Sequence, residues 1–174
     1  MDADVLAQFL AEQVDSDILQ EAWNISVRHA AATRAMALPD LLHIYCDGWC
    51  QSNGLPGAQA GWSVKACEPG DPTSSLNWVR GLTGHVPEEL PQTNNVAEYV
   101  ALIEALKMAQ EAPGDVTIHT DSALVIGQVS GKWNVKAGHL RALWAEAASL
   151  LAKMPDRCGL QKEPRAKIVA VLGH

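Results

Sequence analysis

An α/β fold of five strands is predicted by three features of this chain. Short apolar runs rich in β-formers alternate with segments of helical spacing. Turn-rich clusters of Gly, Asn and Pro separate them. Three acidic motifs, Tyr45-Cys46-Asp47-Gly48, Thr93-Asn94-Asn95-Val96-Ala97-Glu98 and His119-Thr120-Asp121-Ser122, each put one carboxylate at the edge of a predicted strand or helix.

The elements follow in order. Leu41 to Asp47 is apolar enough for a buried strand, and Gln51-Ser52-Asn53-Gly54-Leu55-Pro56-Gly57 is the kind of loop that joins antiparallel strands. Gly61 to Cys67 alternates Trp62, Val64 and Ala66, and Leu76, Trp78 and Val79 suggest a third strand, which completes a meander. Val96, Val100, Ile103 and Leu106 keep helical spacing until Pro113-Gly114 stops the helix. Val116-Thr117-Ile118 is a fourth strand, followed by a short helix from Asp121-Ser122 to Val129 that Gly131 ends. His139 to Met154, rich in Ala and Leu, predicts another helix, and Lys167 to Leu172 a fifth strand. Ahead of this core, Ala3 to Leu19 carries a stripe of Val5, Leu6, Phe9, Leu10, Val14 and Ile18 that predicts a helix. Glu21 to Ala37 is a more polar helix or surface connector.

A chain of 174 residues with 48% hydrophobic content can bury one core, so a single domain over 1–174 is expected. No apolar run is long enough to span a bilayer, and the acidic start Met1-Asp2-Ala3-Asp4 lacks the basic opening of a signal peptide. Cys46, Cys50, Cys67 and Cys158 form no CxxC pair and no zinc-ligand spacing, which suits reduced thiols in a cytoplasmic protein. The net charge of −7 argues against tight binding of nucleic acid, because phosphates are usually met by Lys and Arg. Many of the acids, however, crowd the first segment (Asp2, Asp4, Glu12, Asp15, Asp17, Glu21).

Each motif acid has an ordinary explanation taken alone. Asp47 could end its strand and cap the Gly48 turn. Glu98 fits a capping box with Asn95 as N-cap, and Thr120 or Asp121 could cap the short helix after the fourth strand. Capping does not account for the conjunction of the three. Oxygen ligands from separate elements suit Mg²⁺ or Mn²⁺, and a metal pair can clamp a phosphodiester.

In order and local sequence, Asp-Gly after the first strand, Asn-Asn-x-x-Glu opening the first core helix and Thr-Asp-Ser after the fourth strand resemble the ribonuclease H family, especially its type 1 bacterial and archaeal branch. The resemblance covers roughly residues 41–174. It implies a five-stranded mixed sheet flanked by helices, and hydrolysis of the RNA strand of RNA–DNA hybrids to 5′-phosphate and 3′-hydroxyl ends. Asp47, Glu98 and Asp121 are then expected to bind two Mg²⁺ ions, with Mn²⁺ as the alternative. Asn53, Thr93, Asn94, Asn95 and Ser122 are expected to meet the substrate. The chain departs from the family at Trp49, where a serine is usual, and around 131–138, where some bacterial members carry a basic, Trp-rich handle. The alternatives are a DNA-directed nuclease, or a non-catalytic domain that binds nucleic acid or protein.

Family members continue past the last strand's Gly-His to an Ala-Asp-x-Leu-Ala helix that supplies a fourth acid. This sequence stops at Gly173-His174 and begins Ala3-Asp4-Val5-Leu6-Ala7. The resemblance therefore points to circular permutation, with residues 1–20 as the displaced final helix, 21–40 as the connector and Asp4 as fourth metal ligand; the alternative is an Asp4 that only suits the dipole of a helix N-terminus. His174 matches a family histidine that helps with the proton or with product release. The protein is expected to be a monomer, or a swapped homodimer in which each Asp4 completes its neighbour's site.

Overall fold

Side-chain alternation along the first strand, β1 (Leu41–Gln51), divides the molecule into two faces. Leu42, Ile44 and Cys46 enter the main core, while Tyr45 joins a smaller cluster with Cys67, Ile168 and Val171. The computed structural model describes residues 39–53 and 55–173. The expected helices over 3–19 and 21–37, with Asp4, and the terminal His174 lie outside the described residues.

β1 pairs antiparallel with β2 (Gln59–Cys67), which pairs antiparallel with β3 (Trp78–His85). On its other side β1 runs parallel to β4 (Asp115–Thr120), and β4 parallel to β5 (Cys158–Lys162). The result is a five-stranded mixed sheet in the order β3-β2-β1-β4-β5. Helix α1 (Asn94–Glu111) lies on β1 and β2 and is covered in turn by α3 (Arg141–Ala152). α1 is buried over most of its surface, from Val96 through Ala109, and keeps Glu104, Lys107 and Glu111 as a narrow charged edge. The short α2 (Ala123–Val129) follows β4. All four cysteines carry free thiols, and no helix among the described residues is long and apolar enough to cross a membrane.

The C-terminal region differs from expectation. The fifth strand is Cys158–Lys162, and Arg165–Leu172, whose β-branched residues suggest a strand, forms helix α4. Ile168 and Val171, three apart, face Tyr45 and Cys67, which is helical spacing. Pro164 precedes the helix with φ −63°, and Gly173 ends it in the left-handed conformation at φ +89°. That is the usual asymmetry of proline at a helix start and glycine just past its end. The polar Cys158-Gly-Leu-Gln-Lys becomes a strand through its register with β4, Val116 opposite Cys158 to Thr120 opposite Lys162. A helix therefore does follow the last strand, on the face of the sheet opposite α1, and the expectation that the chain ends with that strand does not hold.

Candidate active site

The parallel register of β1 and β4 brings the first and third motifs together. Their last pair is Tyr45 with His119, and Asp47 and Asp121 stand two residues further on in each chain. Asp47 is not at the strand end: β1 continues past it to Gln51, and its carboxylate is 1% exposed. Asp121 follows the last residue of β4 directly.

Glu98 comes from α1. Thr93, not Asn95, caps this helix, its Oγ1 accepting from the Val96 N–H. Glu98 thus falls a turn inside the helix, too far along to close a capping box, and its carboxylate turns to the site. Gly48 allows the approach, since a Cβ there would stand 2.2 Å from both the Ala97 carbonyl carbon and the Glu98 nitrogen. The glycine of the Asp-Gly motif is therefore demanded by close backbone contact.

Polar neighbours hold Glu98 at both oxygens. Ser122 Oγ donates to Oε2 at 2.6 Å and Asn94 Nδ2 donates to Oε1 at 2.9 Å. Ser122, rather than Thr120 or Asp121, caps α2, accepting from the Val125 N–H. Asn53 Oδ1 accepts from the Asn94 N–H at 3.1 Å and ties the β1–β2 loop to the start of α1. Asn95 is exposed on the first turn of α1. Burial raises the pKa of Glu98, the Ser122 hydrogen bond opposes this, and the charges of Asp121 and Asp47 raise it further.

Arg165, the first residue of α4, was invisible to sequence reading. Its Nη1 donates to Asp47 Oδ2 at 2.7 Å and to Asp121 Oδ2 at 3.2 Å. Burial works against its charge, but the two carboxylates outweigh that and raise its pKa. The resemblance implies an acid at the head of a final helix, whereas the helix after β5 begins with this cation. No sequence signal marks it, because Arg165 becomes part of the site only once α4 is a helix packed on β1.

A second polar group lies on the same face of the sheet. Glu163 Oε1 accepts from His119 Nδ1 at 2.9 Å, from Lys167 Nζ at 2.9 Å and from Gln161 Nε2 at 3.1 Å. A carboxylate only accepts, so His119 donates from Nδ1, and its Nε2 accepts from His43 Nδ1 at 2.9 Å. Tyr45 stacks on His119 with ring centres 4.5 Å apart. The cavity beside this group is about 290 Å³ and is lined by His43, Tyr45, Glu68, His119, Glu163 and Lys167 among others.

Can the acids hold a metal? Their donor chemistry fits a hard divalent cation: three carboxylates, all oxygen donors, drawn from three elements, with a mutual repulsion that a cation would relieve. Among the described residues, however, no three His, Cys, Asp or Glu side chains stand in a ready ligand arrangement. Arg165 occupies the space between the two aspartates.

The RNase H family pattern matches residues 39–162 of this chain. The chain belongs to the ribonuclease H family. Ribonuclease HI of Halobacterium salinarum is 32% identical over 117 residues, which is 66% of this chain and 53% of that protein. The bifunctional protein Rv2228c of Mycobacterium tuberculosis is 38% identical over 76 residues, 43% of this chain and 21% of that protein. The chain thus spans between a fifth and about half of these ribonuclease H-related proteins. Among solved structures, LC11-RNase H1 in complex with an RNA/DNA hybrid superposes with a TM-score of 0.58 at 27% identity, over 72% of this chain and 87% of that one.

Proposed function

We propose that this ribonuclease H-family chain is a metal-dependent endonuclease that cuts the RNA strand of RNA–DNA hybrids, leaving 5′-phosphate and 3′-hydroxyl ends. One observation carries the reading. Three carboxylates, from β1, from α1 and from the residue after β4, lie close enough to feel one another's charge just past the end of the parallel β1–β4 pairing, and they are oxygen donors of the kind that hard divalent cations take. The family membership and the hybrid-bound relative support the choice of substrate.

Asp47, Glu98 and Asp121 would hold the metal ions, which supply charge neutralisation at the phosphodiester and a more acidic water nucleophile. The rest of the work falls to the chain's own groups. Ser122 and Asn94 fix both oxygens of Glu98, so its orientation is set before substrate arrives. Thr93 caps α1 through Oγ1 and, like Asn94 and Ser122, is proposed to meet the substrate as well. Asn53 and the exposed Asn95 flank the acids with amides suited to phosphate and 2′-hydroxyl groups, which carry no sequence information. Asp4 and His174 enter on the sequence resemblance alone.

The test is cleavage of end-labelled RNA–DNA hybrid, duplex DNA and duplex RNA, each with Mg²⁺ and with EDTA. The expected outcome is metal-dependent cutting confined to the RNA of the hybrid. Duplex DNA cut as fast as hybrid would make it a DNA-directed nuclease. Binding of hybrid without cleavage at any Mg²⁺ or Mn²⁺ concentration would make it a binding domain. Asp4→Asn in the same assay separates a four-carboxylate site, which loses activity, from a three-carboxylate one.

A further inference from the structure

Arg165 reaches both aspartates through a single nitrogen, 2.7 Å from Asp47 and 3.2 Å from Asp121. A cation that bridged those two oxygens would need the same place. The oxygens that Nη1 uses are candidate ligand atoms, and two positive centres cannot share them at contact distance without strong repulsion.

The root of Arg165 is fixed independently of its head. Pro164 constrains the backbone just before it. The helix is held to the sheet by Ile168 and Val171 in the smaller core, by the Lys167–Glu163 ion pair at 2.9 Å and by Lys65, which donates to the Val171 carbonyl. None of these contacts involves the guanidinium, whose side chain is 55% exposed. It can therefore swing into solvent while α4 stays in place. Asp47 is 1% exposed, so losing the guanidinium alone is costly, and an incoming cation supplies the replacement charge that makes the swing possible.

We propose that Arg165 is a tethered counter-ion that occupies the metal-binding position between Asp47 and Asp121 and must be displaced when a divalent cation binds. The proposal rests on the metal-dependent reading above. It makes metal affinity the outcome of an internal competition, so the protein's threshold for Mg²⁺ or Mn²⁺ is set in part by a residue that is not a ligand. By linkage, bound metal weakens the Arg165 contacts by the same factor that Arg165 weakens the metal.

The test is Mn²⁺ binding to wild type, Arg165→Gln and Arg165→Lys, followed by electron paramagnetic resonance of free Mn²⁺, with Asp121→Asn to locate the site and melting curves with and without Mn²⁺. Arg165→Gln is expected to bind Mn²⁺ at least about fivefold more tightly than wild type, the lower end of ordinary coupling between sites. It should melt lower without metal and gain more from Mn²⁺, while Arg165→Lys falls between. A purely structural arginine would lower the melting temperature at every metal concentration and leave affinity equal or weaker. If wild type binds Mn²⁺ in a manner lost in Asp121→Asn, yet Arg165→Gln binds no tighter, the counter-ion idea is wrong and the metal-dependent reading stands. If neither wild type nor Arg165→Gln binds Mn²⁺, both fall. Should Arg165→Gln not fold, the wild-type protein decides: the Arg165 side-chain ¹⁵N signal must move and sharpen on saturation with Mg²⁺, and an unchanged signal overturns the proposal.

Discussion

Asp47 and Asp121 stand two residues beyond Tyr45 and His119 along the chain, and Arg165 two residues beyond Glu163, yet the two polar groups so formed have opposite character. Around Glu163 the charges balance. One carboxylate, 7% exposed, takes hydrogen bonds from Lys167, His119 and Gln161, and the pKa of Glu163 is lowered: burial opposes the shift, but the Lys167 and His119 hydrogen bonds prevail. Around Asp47 three carboxylates crowd together with one guanidinium among the described side chains, and the pKa of Glu98 is raised. A buried polar group built for stability closes its hydrogen bonds and its charge. At Asp47 the described side chains carry more carboxylate than cation, and the metal-dependent reading proposed above draws on that contrast.

The sharpest way to break this contrast is to remove charge from each group in turn. Asp47→Asn or Asp121→Asn should cut hybrid cleavage by about 10³-fold or more, the scale of several kcal/mol of metal-derived stabilisation. Metal-free stability should change by no more than about 1 kcal/mol, since relieved repulsion offsets the lost Arg165 pair. Near-normal cleavage by either variant removes the metal reading. Gly48→Ala couples backbone to site, because the added Cβ must push α1 away from β1. Activity should fall by about 10²-fold through misplacement of Glu98. Stability should drop by about 1–3 kcal/mol from overpacking. A fully active, stable Gly48→Ala protein would show that the approach of α1 is not needed.

Glu163→Gln is the mirror experiment. It should cost about 2–3 kcal/mol of stability, the value of charge-assisted hydrogen bonds to a buried acceptor, and leave cleavage at low temperature within a few fold. Its pH dependence has a definite sign. A carboxylate whose folded pKa lies below its unfolded value contributes stability above the unfolded pKa and loses that contribution as pH falls through the folded one. The melting-temperature gap between wild type and Glu163→Gln should therefore be full at neutral pH and close on acidification below the ordinary carboxylate range. A gap that widens in acid would refute the balanced reading of this group. The smallest effect is expected at Asn95→Ala, exposed on the first turn of α1: KM for hybrid raised by a few fold, roughly the loss of one weak hydrogen bond, with kcat and stability unchanged. A fall in kcat instead would move Asn95 from substrate contact to the chemistry.

Much of this was legible beforehand where local pattern and tertiary structure agree. The meander, the long helix from residue 94, the fourth strand and the convergence of Asp47, Glu98 and Asp121 follow from apolar spacing, turn residues and a shared order of motifs. The caps lie one or two residues from where sequence pattern alone puts them. Thr93, Asn95, Thr120, Asp121 and Ser122 are all competent caps, and only backbone geometry selects Thr93 and Ser122. The C-terminal strand lies elsewhere than expected because Lys-Ile-Val-Ala-Val-Leu has a strand's composition, while Pro164 and Gly173 delimit a helix. The Asp4 and permuted-helix expectation concerns residues outside those described.

By itself, then, the sequence determined which side chains are acids, how apolar residues are spaced and where Gly and Pro interrupt them, and from these came the family and the three motif carboxylates. Tertiary structure alone decided which residues become neighbours across long separations. Arg165 meets Asp47 across 118 positions, Glu163 meets His119 across 44, and α1 rests on Gly48 with no room for a methyl group. The physical reason is one of range. Hydrophobic periodicity and capping act within a few residues along the chain, whereas the sign and balance of charge at a site depend on which elements the sheet register and helix packing bring together.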